Sequence, residues 1–137
     1  MRIGLIAGPW IPVPPATYGG TERVVDTLAR GFVAAGHEVL LGVPSDSECP
    51  VPRVPEMRVS EPAELGTTIS ELSHVVRAYR GMRGVDVIHD HTMAGPLYPY
   101  RPPSVPVVTT IHGRLTPPAM DVYRAIGRNT SIIAISR

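Results

Sequence analysis

The 137-residue sequence has no lysine, since all 13 of its basic residues are arginine. A Walker A phosphate loop requires a lysine, so this class of nucleotide site is excluded. Cys49 is the single cysteine, which excludes a disulfide within the chain and favours a reducing, cytoplasmic compartment. The first apolar run ends at Pro9 and is too short for a signal peptide or a membrane-spanning helix.

The charge balance is nearly neutral, with a formal net charge of +1. No strong electrostatic field therefore favours a nucleic acid or an anionic membrane as a partner. The length is typical of one compact domain with its own hydrophobic core, and we assign residues 1–137 to it.

The hydrophobic pattern predicts an α/β protein with a doubly wound parallel sheet, which is Rossmann-like. Apolar runs without alternation predict buried strands at residues 2–7, 38–43, 85–89, 105–111 and 132–135, and a short strand at 57–59. Helical spacing predicts three helices: the first begins at residue 21, the second spans residues 63–82, and the third spans residues 117–128. In the first helix, Thr21 is the expected N-cap, Glu22 lies on the polar side, and Gly36 follows the C-terminus.

Ligands of such sheets bind outside the carboxyl ends of the strands. This edge collects three of the five histidines and a glycine-containing loop, in residues 8–20, 44–46, 89–91 and 112–114. We expect the functional site at this edge.

The loop after the first strand delivers Gly19 and Gly20 to the start of a helix. Unpaired N–H groups and the positive end of the helix dipole make such a position an anion site. The glycines could equally serve only a tight turn. The loop lacks the G-x-G-x-x-G pattern of a dinucleotide site, and its prolines make it too long for one. Trp10 and Tyr18 flank the loop and could stack on a sugar ring or anchor the loop.

Asp90 lies between His89 and His91, an arrangement that raises the question of a metal site. Neighbouring residues of an extended segment point to opposite sides, so no more than two of these three side chains converge. A metal ion requires three or four ligands, and we therefore expect none here.

Four ordered segments make the chain resemble the N-terminal domain of a family 4 retaining glycosyltransferase, whose GT-B fold pairs two Rossmann-like domains. They cover essentially the whole chain, and they are the first strand with residues 19–22, the strand at 86–91, the strand and turn at 107–113, and residues 133–136. The resemblance implies transfer of a sugar from a nucleotide-diphosphate donor, with retention, without a metal and without a further cofactor.

The resemblance also implies roles for individual residues. Gly19, Gly20 and Gly113 would bind the donor phosphates, Glu22 would support the loop, and His112 would contact the transferred sugar as the catalytic residue. The acceptor, a small molecule or a glycan, would be received by Trp10, Tyr18, Asp90, His91 and Arg114.

The resemblance is to one half of an enzyme. The basic pair and the E-x7-E segment that hold the nucleotide in this family belong to a C-terminal domain, so the chain alone is expected to be inactive. Two other interpretations stay open. One is a relative of nucleotide-sugar epimerases or glycan phosphorylases, and the other is a non-catalytic binding or assembly module.

Overall fold

A computed structural model describes residues 1–135 of the chain. The described elements are, in order, β1 (Arg2–Ile6), α1 (Gly20–Ala34), β2 (Glu38–Gly42), α2 (Thr68–Gly81), β3 (Val87–Asp90), β4 (Val107–Ile111), α3 (Pro117–Ile126) and β5 (Ser131–Ala134). Short 3₁₀ turns occur at Pro62–Glu64 and Gly95–Leu97. Ser136, the last residue of the fourth segment that carries the family resemblance, lies outside the described residues.

The five strands form one parallel sheet with the order β2-β1-β3-β4-β5. This confirms the predicted parallel α/β architecture. The chain adds β2 on one side of β1 and the remaining strands on the other side, so the topological switch point lies between β1 and β3. In sheets of this order, the crevice at the switch point is the usual ligand site.

Helices cover the two faces of the sheet and enclose two hydrophobic clusters. Leu5 of β1 and Val25 of α1 belong to one cluster, whereas the next strand residue, Ile6, packs with Val75 of α2 in the other. Successive side chains of a strand point to opposite faces, and a strand buried on both faces therefore reads as a continuous apolar run.

The strands present glycines where the C-terminal end of α2 meets the sheet. A Cβ atom added at Gly42 would lie 2.9 Å from Cβ of Ala78, and one added at Gly4 would lie 2.7 Å from Sδ of Met82. The first contact is shorter than two carbon atoms tolerate, so position 42 requires glycine, whereas a side chain at position 4 requires the Met82 side chain to move.

The C-terminus of α1 follows the prediction, but its N-terminus does not. Gly36 has φ +84°, and His37 N–H donates to the Phe32 carbonyl at 2.9 Å, as in a Schellman motif. The predicted N-cap, Thr21, is wrong, since the helix begins at Gly20 with Gly19 as N-cap. The predicted polar position of Glu22 is also wrong, because only 6% of this residue is exposed.

The segment between β2 and α2 differs most from the expectation. The predicted strand at 57–59 is absent there, and Arg53 instead forms a single parallel bridge to Leu41. The predicted helix at 63–82 is divided by Gly66, which has φ +83°, so that α2 begins only at Thr68. Cys49 is buried in this segment, and burial raises the pKa of its thiol to about 12.

Candidate functional site

The carboxyl ends of β1, β3 and β4 meet at one edge of the sheet. Ile6 pairs with Asp90, Asp90 pairs with Thr109, and His91 N–H donates to the Ile6 carbonyl at 2.9 Å. The loops that follow these three strands therefore start at about the same level. This register is what brings together residues that are far apart in the sequence, such as Gly20, His91 and His112.

Three imidazoles converge at this edge, and we refer to His89, His91 and His112 as the histidine cluster. The rings of His89 and His91 have centroids 4.1 Å apart, and those of His91 and His112 lie 5.0 Å apart. Nδ1 of His91 and Nε2 of His112 are 2.7 Å apart, and one of them donates a hydrogen bond to the other. Two of the three consecutive residues 89–91 thus share a side, as the pleat predicted, and β4 adds the third ring.

Burial keeps the histidine cluster neutral at physiological pH. It lowers the pKa of His91 to about 2, with a smaller contribution from the neighbouring imidazoles, and it also lowers the pKa of His112 and of His89. A neutral imidazole has one donor and one acceptor nitrogen, so the His91–His112 hydrogen bond couples the tautomers of both rings.

One polar atom of the cluster has no partner among the described residues: Nε2 of His91 is buried and makes no hydrogen bond there. A buried polar group in this state costs free energy, and its occurrence in a native protein calls for an explanation such as a bound molecule. Among residues 1–135, no three or more His, Cys, Asp or Glu side chains are arranged to hold a metal ion.

Asp90 lies apart from the histidine cluster, on the opposite side of β3. Its side chain is 0% exposed, and its carboxylate accepts hydrogen bonds from the Tyr79 hydroxyl at 2.7 Å and from the Thr92 N–H and hydroxyl at 2.8 and 2.7 Å. Burial raises the pKa of Asp90 to about 6 although these hydrogen bonds act in the other direction. A side chain so enclosed holds α2 and the loop after β3 together, and we assign it this structural role instead of the predicted acceptor contact.

Gly19 and Gly20 differ sharply in the space around them. Gly19 is buried with φ +142°, and a Cβ atom there would lie 2.7 Å from Cβ of Pro15 and 2.9 Å from Oε2 of Glu22. At Gly20, no atom lies within 4 Å of an added Cβ. Gly19, the N-cap of α1, has no side chain to cap the helix. The first turn is therefore open at Gly20, while the N–H of Glu22 is engaged by its own carboxylate.

Glu22 closes the inner side of the glycine loop. Burial raises the pKa of its carboxyl, an effect that a hydrogen bond from its own N–H partly offsets. The carboxylate packs against Gly19, and its negative charge lies next to the positive end of the α1 dipole. This placement is compatible with the predicted support of the loop.

The two aromatic residues that flank the glycine loop have different surroundings. The ring of Trp10 packs against Gly8, where an added Cβ would lie 2.9 Å from it, and Trp10 Nε1 is buried. Tyr18 is 75% exposed and borders an apolar pocket of about 270 Å³ that Ile11 and Leu65 also line. Trp10 thus anchors the loop, whereas Tyr18 is accessible to a ligand.

The loop after β4 opens on a pocket of about 420 Å³, lined by His112, Gly113 and Arg114 among others. His112 is half-buried, and the two residues that follow it are exposed. An added Cβ at Gly113 would meet no atom within 4 Å. The edge therefore has a second open glycine beside the half-buried imidazole of His112.

Sequence reasoning missed His89 as a member of the site. Its Nε2 lies 2.7 Å from Oγ1 of Thr110, and its ring stacks on His91. The spacing of two residues between His89 and His91 was the available signal, since such residues share one side of a strand. The partners of Asp90 were also missed. Tyr79 had no signal in the sequence, because it reaches Asp90 only through the packing of α2 on the sheet.

Comparisons with known proteins identify what this arrangement is similar to. The model of Glycosyltransferase Family 4 matches residues 18–137. Among solved structures, the chain is similar to AviGT4, a glycosyltransferase involved in avilamycin A biosynthesis, at 30% identity and a TM-score of 0.58. The match covers 85% of this chain and 34% of that one, so the chain spans about a third of the length of AviGT4.

A comparison with proteins of curated function found no match. Within residues 1–135, no helix combines the length and the apolar character needed to cross a membrane.

Proposed function

Because the chain belongs to glycosyltransferase family 4, we propose that it is the acceptor-side, N-terminal domain of an enzyme that transfers a sugar, with retention, from a nucleotide-diphosphate donor. One observation carries this proposal: the start of α1, open at Gly20, and the half-buried His112 belong to loops at the same carboxyl edge. A C-terminal domain would bind the nucleotide and close the other side of the cleft.

The start of α1 supplies charge stabilisation for the donor. A departing nucleotide diphosphate gains negative charge, and N–H groups with the helix dipole stabilise this charge without a metal ion. Gly20 has open space where a side chain would stand, which lets a phosphate approach the backbone closely. Gly113 offers the same freedom in the loop after β4.

His112 contacts the transferred sugar in this proposal. Its Nε2 is engaged with His91, which leaves Nδ1 and the neighbouring backbone for the ligand. The imidazole is neutral because burial lowers its pKa. A neutral ring forms hydrogen bonds with hydroxyl groups and makes no ion pair with the diphosphate. His91 positions the ring of His112 and fixes its tautomer.

Retention in this proposal proceeds without a protein nucleophile. Glu22 and Asp90, the two carboxylates predicted at the edge, are buried. A double displacement requires a carboxylate next to the reacting carbon. We therefore favour transfer on one face of the sugar, with the departing diphosphate accepting the proton of the acceptor hydroxyl. Tyr18 and Arg114, both exposed, are the proposed acceptor contacts.

The test uses the enzyme that carries this domain together with its donor domain. We expect nucleotide release from a nucleotide-sugar only when an acceptor is present, and at least about a 100-fold lower kcat for His112→Ala. His37→Ala is the matched control, since His37 precedes β2 at the opposite edge of the sheet. Normal turnover by His112→Ala would refute the assigned role.

The same assay separates the other interpretations. An epimerase would convert the nucleotide-sugar without an acceptor, and a phosphorylase relative would require inorganic phosphate. A binding or assembly module would show no turnover with any acceptor.

A further inference from the structure

A third pocket at this edge is unused by the proposed transfer. It has a volume of about 300 Å³ and lies between α2 and residues 58–61, and we call it the α2 pocket. Its polar lining consists of Arg58, Glu61, Ser70, Ser73, His74 and Arg77.

The α2 pocket belongs to the same carboxyl edge as the candidate site. His74 Nε2 lies 3.3 Å from the carbonyl oxygen of Gly42, the last residue of β2. Pro9, which also lines the pocket, follows β1 in the loop that leads to Gly20. The pocket and the start of α1 are thus connected by one loop.

Hydrogen bonds fix the outer wall of the pocket before any ligand arrives. Glu61 N–H donates to the Pro9 carbonyl at 3.1 Å, and Ser45 N–H donates to the Arg58 carbonyl at 2.8 Å. The N–H and hydroxyl of Ser60 both donate to the Asp46 carboxylate, at 2.8 and 2.6 Å. A wall held in this way loses little conformational entropy on binding.

Two guanidinium groups line the pocket without a carboxylate partner. Within residues 1–135, neither Arg58 nor Arg77 lies within 4.0 Å of a carboxylate oxygen. Arg77 donates one hydrogen bond, from NH1 to the Glu56 carbonyl at 3.1 Å, and this bond directs its side chain along the wall. The remaining guanidinium donors of both residues are available to a ligand.

The other polar groups of the pocket suit hydroxyl groups. Glu61 is already engaged, since its Oε2 lies 3.4 Å from the Ser70 hydroxyl. Ser73 adds a second hydroxyl. His74 is buried and neutral because burial lowers its pKa to about 4, and it adds no charge.

We propose that the α2 pocket binds the anionic group of the acceptor, a hydroxylated small molecule that carries a phosphate or a carboxylate. The guanidinium fork binds either oxyanion with paired hydrogen bonds, and the serines and Glu61 receive the hydroxyls. The volume suits a small ligand, since such sites begin at about 300 Å³. This inference rests on the proposed function, which places the donor phosphates at α1 and so leaves this second cationic position for the acceptor.

The test titrates the full chain with glucose 6-phosphate, glucuronate and glucose, and follows the ¹H–¹⁵N spectrum. We expect both anionic probes to shift the signals of Arg58 and Arg77, and glucose to bind at least about tenfold more weakly. The double variant Arg58→Gln/Arg77→Gln weakens glucose 6-phosphate binding about tenfold or more. The control is Arg80→Gln, which changes an exposed arginine of α2 that does not line the pocket.

Three results would overturn the inference: equal binding of glucose and its phosphate, unchanged affinity in the double variant, or inorganic phosphate binding as tightly as glucose 6-phosphate. A parallel titration of the enzyme with its donor domain, using UDP and GDP and read at the Gly20 amide, tests the donor position separately. Failure at Gly20 alone counts against the proposed function, whereas failure at the arginines alone counts against the α2 pocket.

Discussion

Asp90 and His91 are neighbours on one strand, yet they lie in opposite kinds of surroundings. The Asp90 carboxylate is enclosed by three hydrogen bonds from Tyr79 and Thr92. His91 has one hydrogen bond, to His112, and its Nε2 has no partner among the described residues. The first side chain is saturated, and the second retains an unused hydrogen-bonding position.

The difference separates residues that hold the edge together from residues that are available to a ligand. A saturated network contributes stability and has nothing left to offer a substrate, whereas an unsatisfied buried group reduces stability and is typical of functional sites. The same contrast recurs in the glycine loop, where Gly19 is enclosed and Gly20 is open.

The largest expected effect is that of removing the enclosed carboxylate. Asp90→Ala leaves the Tyr79 hydroxyl and the Thr92 donors buried without an acceptor, and we expect the free energy of unfolding to fall by about 4 kcal/mol. Urea denaturation of the chain measures this change. Asp121→Ala, which removes an exposed carboxylate paired with Arg124, should cost less than about 0.5 kcal/mol. A loss of less than about 1 kcal/mol in Asp90→Ala would contradict the structural role of the network.

The two glycines provide the next largest contrast. Gly19→Ala introduces a methyl group against Pro15 at an unfavourable φ, and we expect a loss of about 3 kcal/mol. Gly20→Ala meets open space and should change stability by less than about 0.5 kcal/mol, while it weakens nucleoside diphosphate binding. Thermal unfolding of the two variants measures the first effect, and a UDP titration of the same variants in the enzyme with its donor domain measures the second. Equal stability losses would show that the loop does not distinguish these positions.

A third prediction concerns pH. The folded-state pKa of His91, about 2, lies below its ordinary value of 6.5, so the unfolded state binds more protons as the pH falls below 6.5. Stability is therefore lost between about pH 6.5 and pH 5, and His91 accounts for about 2 kcal/mol of that loss. Asp90 acts in the opposite direction, because its pKa is raised to about 6 and its protonation stabilises the folded state as the pH falls through that value.

Urea denaturation between about pH 7.5 and pH 5 isolates the contribution of each histidine. His91→Phe should lose about 2 kcal/mol less than the wild type over this range. His74→Gln should reduce the loss by a similar amount, since burial lowers the pKa of His74 to about 4. If His91→Phe had the same pH dependence of stability as the wild type, the pKa of His91 would be equal in the folded and unfolded states, which would contradict the prediction.

The prediction with the smallest expected change in free energy concerns His91 as a residue that positions His112. In the enzyme with its donor domain, His91→Phe keeps a ring in place and removes the bond to His112, and we expect kcat to fall about tenfold. Stability at pH 7.5 should change by less than about 1 kcal/mol, because the variant also removes the unsatisfied Nε2. A lower stability and a higher KM, with an unchanged kcat, would indicate a packing role instead.

The sheet was predictable because its strands are buried on both faces. Apolar runs such as residues 2–7 and 105–111 have few alternatives to a parallel strand. The glycine at position 36 predicted the end of α1, because glycine readily adopts the positive φ that it has there. Local pattern was insufficient where tertiary contacts decide, as in the segment before α2. Its buried side chains extend the core, and its backbone is held by bonds to Leu41 and Pro9.

The site was predictable as an edge but not residue by residue. The rule that ligands bind at the carboxyl ends of strands placed His91 and His112 on the same edge, and the structure places them within a hydrogen bond of one another. The pleat separates Asp90 from them, and the sequence could not show that Tyr79 and Thr92 would enclose its carboxylate. The α2 pocket left no sequence signal. Its two arginines are 19 positions apart, and they line one pocket only because the segment that contains Arg58 folds beside α2.

The open space beside Gly20 and Gly113 has a consequence for how such a domain diversifies. A Cβ atom added at either position meets no atom of the fold within 4 Å. Substitutions at the two open glycines therefore act on ligand binding at little cost to folding, whereas substitutions at Gly19 or Asp90 act through the stability of the fold. A library randomised at Gly20 and Gly113 reports on ligand binding while the protein stays folded.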